Sequence, residues 1–385
     1  MKYNLDKKVD RRNTGSVKWN VSENELPMWV ADMDFESAKD IKDIMMKIAE
    51  HGVYGYADLD PEFFNAYIYW WKERYQTVLE KDWFVYSTGV IAALSSIVRK
   101  LTTAGENVLL QLPVYNCFFT SIENNGRKIV SNDLVYQDGS YFIDFNDLEE
   151  KLKDKQTSMM ILCNPHNPVG HIFTKEELEK IRDLTQKYHV ILVADEIHCD
   201  LLDPEYKYTP IMSIDGNKDN IVMLASPSKS FNVAGLHGAV AVIENENLRH
   251  KVWRGINTDE VGEANIFVQQ AHIMAYTKSG DWLDEVREYI YQNKQYFINF
   301  IKENIPHLHV VDSHATYLLW VDISYYDKDS THFVEDLRKQ TGLFVTEGVH
   351  YGKNGEGFFR INMATQKENV KDACNRLLKY INQIK

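Results

Sequence analysis

Short runs of apolar residues alternate along most of the chain with segments in which apolar residues recur every three or four positions. Continuous apolar runs predict strands buried on both faces, and the periodic segments between them predict amphipathic helices. This alternation predicts an α/β fold, a three-layer architecture in which helices cover both faces of a mostly parallel sheet. The predicted strands of this sheet are residues 83–86, 108–110, 159–163, 190–194, 221–225 and 239–243.

The pattern changes towards the C-terminus. Apolar residues keep a near-helical period across residues 281–303, which predicts a long helix that joins two domains. The strand and helix patterns beyond this helix predict a smaller α+β domain, on which we expect the N-terminal segment to pack. The expected boundaries are residues 46–285 for the large domain, and residues 1–45 together with 286–385 for the small domain.

Three of the predicted strands are followed closely by polar residues, namely Asn167, Asp195 and Lys229. Ligands of such sheets bind beyond the carboxyl ends of the strands, so we expect these three side chains to converge. A lysine at the mouth of an apolar strand loses hydration, which lowers its pKa and makes its amine a nucleophile towards a carbonyl group. The neighbouring Ser226 and Ser228 hydroxyls can hold an anion such as a phosphate.

Each of these residues also has a structural interpretation. Lys229 alone fits an exposed lysine in a loop, Asp195 fits a helix cap, and Asn167 fits an Asn-Pro turn. Gly89 lies at a strand-to-helix turn, where backbone N–H groups can bind an anion, but one glycine is a weak signal. The functional interpretation therefore depends on agreement among several motifs.

Four motifs in register across nearly the whole chain supply that agreement. They are Asn167-Pro168-Val169-Gly170, Asp195-Glu196-Ile197-His198, Ser226-Pro227-Ser228-Lys229 and Phe359-Arg360-Ile361-Asn362. Together they resemble the fold-type I aminotransferase superfamily, whose members use pyridoxal phosphate. The finer resemblance is to the cystathionine β-lyase (MalY/PatB-like) branch. It rests on residues 28–35, 54–56, 164–168, 195–198, 228–232 and 315–318.

The resemblance implies roles around the cofactor ring. Lys229 is the implied catalytic residue, which binds the cofactor covalently and later abstracts the Cα proton of the substrate. Asp195 is implied to keep the pyridine nitrogen protonated, since the ring withdraws electrons only in that state. Asn167 and His198 are implied to face the ring oxygen, and Tyr115 to stack on the ring. A lone histidine such as His198 is otherwise more often a core residue.

The resemblance also implies how the phosphate and the substrate are bound. Arg360 is implied to clamp the substrate carboxylate beside Asn167, and its structural alternative is a salt bridge at a strand edge. His237 stands where transaminases of this type carry a phosphate-binding arginine, a departure that favours a lyase. The implied phosphate ligands are the backbone amides near Gly89, Val90 and Ile91, the hydroxyls of Ser226 and Ser228, and Tyr56 from the second subunit of a homodimer.

The expected activity is a carbon–sulfur β-lyase reaction on a sulfur-containing amino acid, with release of a thiol, pyruvate and ammonia. Cystathionine is the expected substrate, with cysteine and other cysteine S-conjugates as alternatives. An aminotransferase shares the early steps, and no residue named above separates the two reactions by physics alone. A third interpretation is a regulator that uses the same fold to bind a protein partner.

Composition narrows the partners and the compartment. The chain has 385 residues, 44% of them hydrophobic and 26% charged, and a net charge of −13, which makes nucleic acid and anionic membranes poor partners. No apolar run is long enough to span a bilayer, and the first residues lack the apolar core of a signal peptide. The four cysteines form no CxxC pair and no metal-ligand spacing. We therefore expect a cytoplasmic protein with reduced thiols and no metal site.

Overall fold

The computed structural model describes residues 2–384. Its helices are α1 (Lys39–His51), α2 (Glu62–Tyr75), α3 (Val90–Leu101), α4 (Cys117–Glu123), α5 (Phe145–Lys153), α6 (Lys175–Lys187), α7 (Glu246–Thr258), α8 (Ile266–Lys278), α9 (Gly280–Asn304), α10 (Ser330–Thr341) and α11 (Lys367–Ile384). Its strands are β1 (Leu26–Pro27), β2 (Phe84–Ser87), β3 (Asn107–Leu110), β4 (Lys128–Ser131), β5 (Val135–Gln137), β6 (Ser140–Phe142), β7 (Thr157–Cys163), β8 (Ile191–Asp195), β9 (Ile221–Ala225), β10 (Ala239–Val242), β11 (His309–Val310), β12 (Leu318–Asp322), β13 (Leu343–Phe344), β14 (Thr346–Glu347) and β15 (Phe358–Asn362).

A seven-stranded sheet forms the centre of the large domain, in the order β2-β10-β9-β8-β7-β3-β4. Its strands run parallel except for β10, which is antiparallel to both of its neighbours. The predicted mostly parallel sheet is therefore confirmed. Strands β7, β8 and β9 are adjacent and parallel, so the polar residues that follow them reach the same edge.

The two faces of this sheet contribute to separate hydrophobic cores, as expected for strands whose side chains alternate between faces. On β8, Leu192 and Ala194 belong to the core that also contains residues of α2, α6 and α8. Val193, between them, belongs to the core built with α3 and α7. All three side chains have no exposed surface. Burial on both faces explains why these strands are continuous apolar runs, and it confirms the three-layer α/β fold.

The small domain is built on a four-stranded antiparallel sheet in the order β11-β12-β15-β14. Helix α9 is 25 residues long and leads into this domain from the large one, close to the predicted span. The N-terminal segment packs on the small domain, where β1 pairs with β13 and Asn362 N–H donates to the Met28 carbonyl at 2.9 Å. The numerical domain boundaries expected from the sequence remain a prediction.

Residues 28–35, which we call the N-terminal strap, cross between the two domains. A buried cluster of charges holds the strap in place. Asp34, 2% exposed, accepts hydrogen bonds from Lys18 Nζ at 2.7 Å, Trp19 Nε1 at 2.7 Å and Arg11 Nη1 at 2.8 Å. Arg11 also bonds both carboxylate oxygens of Asp32. Every acidic oxygen in the cluster therefore has a donor, as buried carboxylates require.

Two structural observations complete the description of the fold. Helices α2 and α8, which the sequence patterns did not predict, pack through aromatic rings such as Tyr67 and Tyr276, whose centroids are 4.8 Å apart. Because α2 is apolar on most sides, its apolar residues give a weak helical period. Within residues 2–384, no helix has the length and apolar character needed to cross a membrane.

Candidate active site

A cavity of about 370 Å³ opens at the carboxyl edge of the central sheet. Three of its walls follow directly from the topology, since the loops after β7, β8 and β9 converge there. The N-terminus of α3 forms a fourth wall, and the strap forms a fifth. Its lining residues are Ala31, Thr88, Gly89, Val90, Ile91, Ala92, Tyr115, Cys163, Asn167, Asp195, Ile197, His198, Ser228, Lys229, Ala234, His237 and Gly238.

Lys229 projects into the cavity from a rigid turn after β9. Its Nζ donates to the Ala31 carbonyl of the strap at 2.8 Å. Burial, followed by the nearby positive charge of Arg360, lowers the pKa of Lys229, while Asp32 and Asp195 act in the opposite direction. An amine with a lowered pKa is deprotonated more often near neutral pH, so it can act as a nucleophile or a base.

Asp195 lies at the end of β8 on the floor of the cavity and is 3% exposed. One of its oxygens accepts a hydrogen bond from the Ile197 N–H at 3.1 Å. Burial raises the pKa of Asp195 to about 6, although this N–H and the charge of Lys229 oppose the shift. The carboxylate is therefore incompletely paired by the protein itself, and a cationic ligand in the cavity would stabilise its ionised form.

Asn167 and Arg360 meet on the small-domain side of the cavity. Arg360 Nη1 donates to Asn167 Oδ1 at 3.1 Å, and Arg360 Nη2 donates to the Trp29 carbonyl of the strap at 2.8 Å. The guanidinium also lies 4.9 Å from the centre of the Tyr351 ring. Because Asn167 uses its oxygen towards Arg360, its amide NH₂ is available for another acceptor. Arg360 is 5% exposed, so its charge acts in a poorly hydrated environment.

The N-terminus of α3 faces the cavity at Gly89. No side chain among residues 2–384 caps this end. The first intrahelical bond runs from Ala93 N–H to the Gly89 carbonyl, so the amides of Val90, Ile91 and Ala92 precede it. Free amides at the positive end of a helix dipole suit an anion.

His198 and Tyr115 form part of the remaining wall. His198 is 3% exposed, and within the described residues its Nδ1 has no hydrogen-bond partner. Burial lowers the pKa of His198 to about 3, with a further contribution from Lys229 and Arg360. The imidazole is therefore neutral and can accept or donate one hydrogen bond to a ligand. Burial raises the pKa of Tyr115 far above its ordinary value, so its ring is uncharged.

Two predicted phosphate ligands do not line the cavity of this chain. Ser226 is 3% exposed, and its hydroxyl donates to the Gly238 carbonyl at 2.7 Å, so this donor is already engaged. Tyr56 lies on an exposed loop and has an exposed fraction of 104%, well outside the cavity. A phosphate contact by either residue remains a prediction. The other predicted phosphate ligands, Ser228 and residues 89–91, line the cavity, whereas Arg360 lies behind Asn167, to which it is hydrogen-bonded.

The sequence patterns missed several residues that complete the site. Ala31 contributes through its backbone carbonyl, which also accepts a hydrogen bond from the Tyr317 hydroxyl at 2.9 Å. Both residues lie within segments that carried the family resemblance, and that was the only signal that pointed to them. His237, which stands where transaminases of this type carry a phosphate-binding arginine, lines the cavity, as do Thr88 and Cys163.

The model of aminotransferase class I and II matches residues 18–377. The chain belongs to the aminotransferase class I and II family. Among relatives in this family, cystathionine beta-lyase PatB of Bacillus subtilis (strain 168) is 36% identical over 381 residues, covering 97% of this chain and 98% of PatB. Protein MalY of Escherichia coli (strain K12) is 29% identical over 391 residues, covering 100% of both chains.

The fold also matches a solved structure over the whole length of the chain. The crystal structure of cystalysin from Treponema denticola, which contains a pyridoxal 5'-phosphate cofactor, has a TM-score of 0.97 and 32% identity. It covers 100% of this chain, and this chain covers 100% of it. The resemblance seen in the sequence motifs is thus confirmed at the level of family and fold.

Proposed function

We propose that this protein is a pyridoxal-phosphate-dependent carbon–sulfur β-lyase that acts on a sulfur-containing amino acid such as cystathionine. The observation that carries the proposal is the convergence of Lys229, Asp195 and Asn167 on one cavity, with Arg360 hydrogen-bonded to Asn167 at its edge. The relationship to PatB, named a cystathionine beta-lyase, supports the choice of reaction. The products are a thiol, pyruvate and ammonia, with one water consumed.

The residues that line the cavity supply hydrogen-bonding groups that match each polar part of pyridoxal phosphate. Asp195 is a buried, incompletely paired carboxylate that would pair with a protonated ring nitrogen. The free amides at the N-terminus of α3 would hold the phosphate, with the hydroxyl of Ser228 beside them. The Asn167 amide and the unpartnered imidazole of His198 would face the ring oxygen. When bound, pyridoxal phosphate supplies an electron sink that stabilises negative charge at the substrate Cα.

Arg360 positions the substrate by binding the α-carboxylate of the substrate. Its guanidinium is held by Asn167, the Trp29 carbonyl and the Tyr351 ring, so the side chain has little freedom to lose on binding. A bidentate pair between a guanidinium and a carboxylate fixes orientation as well as position. The substrate α-carboxylate bound there leaves its Cα near Lys229.

Lys229 moves the proton. Its amine, whose pKa is lowered by burial and by Arg360, takes the proton from the substrate Cα at Nζ. The Ala31 carbonyl and the Asp195 carboxylate then stabilise the positive charge that the amine acquires. After the proton has left Cα, the carbon–sulfur bond breaks and the sulfur departs from Cβ as a thiolate. The protonated Lys229 amine can return its proton to this thiolate, which gives the thiol.

We also propose that a second copy of this chain supplies Tyr56 to the phosphate end of the cavity. Tyr56 is fully exposed, and its loop neighbours Val53 and Tyr54 are also exposed, with exposed fractions of 68% and 58%. Exposed apolar residues on one loop are typical of an interface. Co-expression of Lys229→Ala and Tyr56→Ala chains tests this. Each mixed dimer regains one intact site of two, and since about half of randomly paired dimers are mixed, the mixture should have about a quarter of the wild-type activity. No recovery above the two parent variants would contradict it.

The reaction is tested with cystathionine as the single substrate. The purified protein is incubated without any keto acid, and pyruvate and free thiol are measured together. We expect both to appear in equal amounts. Members of the wider family include aminotransferases, and such an activity would give no pyruvate until a keto-acid acceptor is added. That outcome would overturn the lyase proposal while leaving the cofactor site intact.

A further inference from the structure

The turn that carries Lys229 also carries a residue whose side chain reaches the strap. Asn232 lies three residues after the lysine and has a φ of 56°, in the left-handed region that asparagine tolerates better than most residues. Its Oδ1 accepts from Met33 N–H at 3.1 Å, and its Nδ2 donates to the carbonyls of Met33 at 3.0 Å and Phe35 at 2.9 Å. One side chain thus satisfies three backbone groups that lie about 200 positions away in the sequence.

The turn itself is firmly anchored in the large domain. Phe231, with no exposed surface, packs between the rings of Trp70 and Trp282. The Ser230 hydroxyl donates to the buried carboxylate of Asp200 at 2.7 Å. Because these contacts anchor the turn in the large domain, we expect the Asn232 side chain to set the position of the strap against the turn.

The strap contacts both Lys229 and Arg360 through its backbone carbonyls, so its position affects both residues. Its Ala31 carbonyl accepts hydrogen bonds from Lys229 Nζ and from the Tyr317 hydroxyl. Asn362 Nδ2 donates to the carbonyls of Val30 at 2.6 Å and Asp32 at 2.7 Å, the two neighbours of Ala31, and Arg360 donates to the Trp29 carbonyl. The strap is therefore held by two asparagines, Asn362 of the small domain beside Ala31 and Asn232 of the large domain at Met33 and Phe35.

We propose that Asn232 is a positioning residue that fixes the strap against the lysine turn, so that the Ala31 carbonyl meets Lys229 Nζ. Asn362 holds the residues on either side of Ala31 from the small domain, and Asn232 adds the contact with the lysine turn. This inference deepens the proposed function, on which its kinetic consequence rests. Its structural consequence, the immobility of the strap, is independent of the reaction.

The test is Asn232→Gly in the holoenzyme, because glycine keeps the left-handed backbone and removes only the side chain. Amide hydrogen exchange is measured by mass spectrometry on peptides that cover residues 29–35. We expect exchange of the Met33 amide to accelerate at least about tenfold, because its acceptor is lost, while the central sheet keeps its protection. The matched control is Asn13→Gly, another asparagine in the left-handed region, with φ of 58° and an exposed side chain, which should leave the strap unchanged.

The kinetic readout uses cystathionine and is normalised to bound cofactor. For Asn232→Gly we expect kcat to fall about tenfold while KM changes less than about threefold, because the Arg360 end stays anchored. Asn232→Asp keeps the acceptor for Met33 N–H but places a second acceptor against two carbonyls, so it should also accelerate exchange and lower kcat.

Three results would overturn the inference. The first is wild-type exchange of the strap in Asn232→Gly, and the second is faster exchange throughout the protein. The third is faster strap exchange with an unchanged kcat per bound cofactor. If the enzyme shows no lyase activity at all but the strap alone loses protection, the proposed function fails and the positioning role of Asn232 stands.

Discussion

Two buried aspartates, Asp34 in the strap and Asp195 in the cavity, differ in how completely their oxygens are paired. Asp34 receives three donors, one of them from Lys18, which has no exposed surface. In the cavity, the Ile197 N–H is the one donor to Asp195 among the described residues. Burial alone would raise the pKa of both carboxyls, yet Lys18 and Trp19 hold the pKa of Asp34 below its ordinary value, whereas that of Asp195 rises to about 6.

The difference separates structural charges from functional ones. A fully paired cluster has no capacity left for a ligand, so we expect the charges around Asp34 to act on stability and on the position of the strap. The cavity residues keep unused donors and acceptors, and a bound group can pair with them. Removing a residue from the first cluster should therefore destabilise the protein, and removing one from the second should abolish activity at little cost in stability.

The largest effect is expected for Lys229→Ala. Loss of the amine removes both the covalent anchor and the base, and we expect kcat/KM for cystathionine to fall by at least about 10⁴-fold. Thermal unfolding should change little, since Nζ makes one hydrogen bond to Ala31. A measured loss below about 100-fold would show that Lys229 is not the base.

Lys18→Met should give the opposite result. Methionine keeps most of the apolar volume but leaves the buried Asp34 carboxylate short of a donor, which costs about 3–5 kcal/mol of the free energy of unfolding. Thermal and denaturant unfolding measure this cost. The control is Lys39→Met on α1, an exposed lysine paired with Asp43, which should leave the melting temperature unchanged. Equal melting temperatures for the two variants would contradict the comparison.

Asp195→Asn and Asp34→Asn should show opposite dependence on pH in the cofactor-free protein. A carboxyl whose folded pKa is raised from about 3.9 to about 6 destabilises the fold as pH rises through that range, by roughly 3 kcal/mol in full. Asp195→Asn should therefore gain stability over wild type between about pH 4 and 7 while losing activity. Asp34→Asn should lose stability at neutral pH, and that loss should shrink as the pH falls below about 4, since the pKa of Asp34 is lowered.

Unfolding curves collected across this pH range measure both effects. Parallel pH profiles for the two variants would remove the distinction between the clusters.

Arg360→Lys should produce the smallest of these effects. Lysine keeps the positive charge but cannot make a bidentate contact with a carboxylate, so we expect KM to rise about 10- to 100-fold with a smaller change in kcat. The control is Arg127→Lys, a guanidinium that bonds the Thr102 hydroxyl and backbone carbonyls away from the cavity. An unchanged KM in Arg360→Lys would assign the substrate carboxylate to another residue.

The sequence predicted the strands of the central sheet well, because burial on both faces leaves continuous apolar runs such as residues 221–225. It also placed Asn167, Asp195 and Lys229 at one edge, because parallel strands require it. The role of Ala31 could not be predicted, because every residue has a backbone carbonyl and the residue type does not show which one contacts a site. The engagement of the Ser226 hydroxyl by the Gly238 carbonyl likewise depends on how β9 and β10 approach each other.

The burial of the charged cluster around Asp34 could not be predicted from the sequence either. Lys18 and Arg11 are polar residues in an irregular segment, and their pattern gives no indication of burial. Lys18 is buried and Arg11 is partly buried because the N-terminal segment folds across both domains, which only the tertiary structure specifies. In our proposal, the position of Tyr56 relative to a cavity depends on a second chain, which no single-chain pattern encodes.

The most direct measurement is to locate the covalent link between cofactor and protein. The purified protein is treated with borohydride, which fixes an imine between pyridoxal phosphate and an amine, and is then digested and analysed by mass spectrometry. We expect the cofactor mass on the peptide that contains Lys229 and none on the peptide that contains Lys18. Cofactor fixed to any other lysine, or to none in a protein that releases pyruvate from cystathionine, would contradict the assignment of the cavity as the active site.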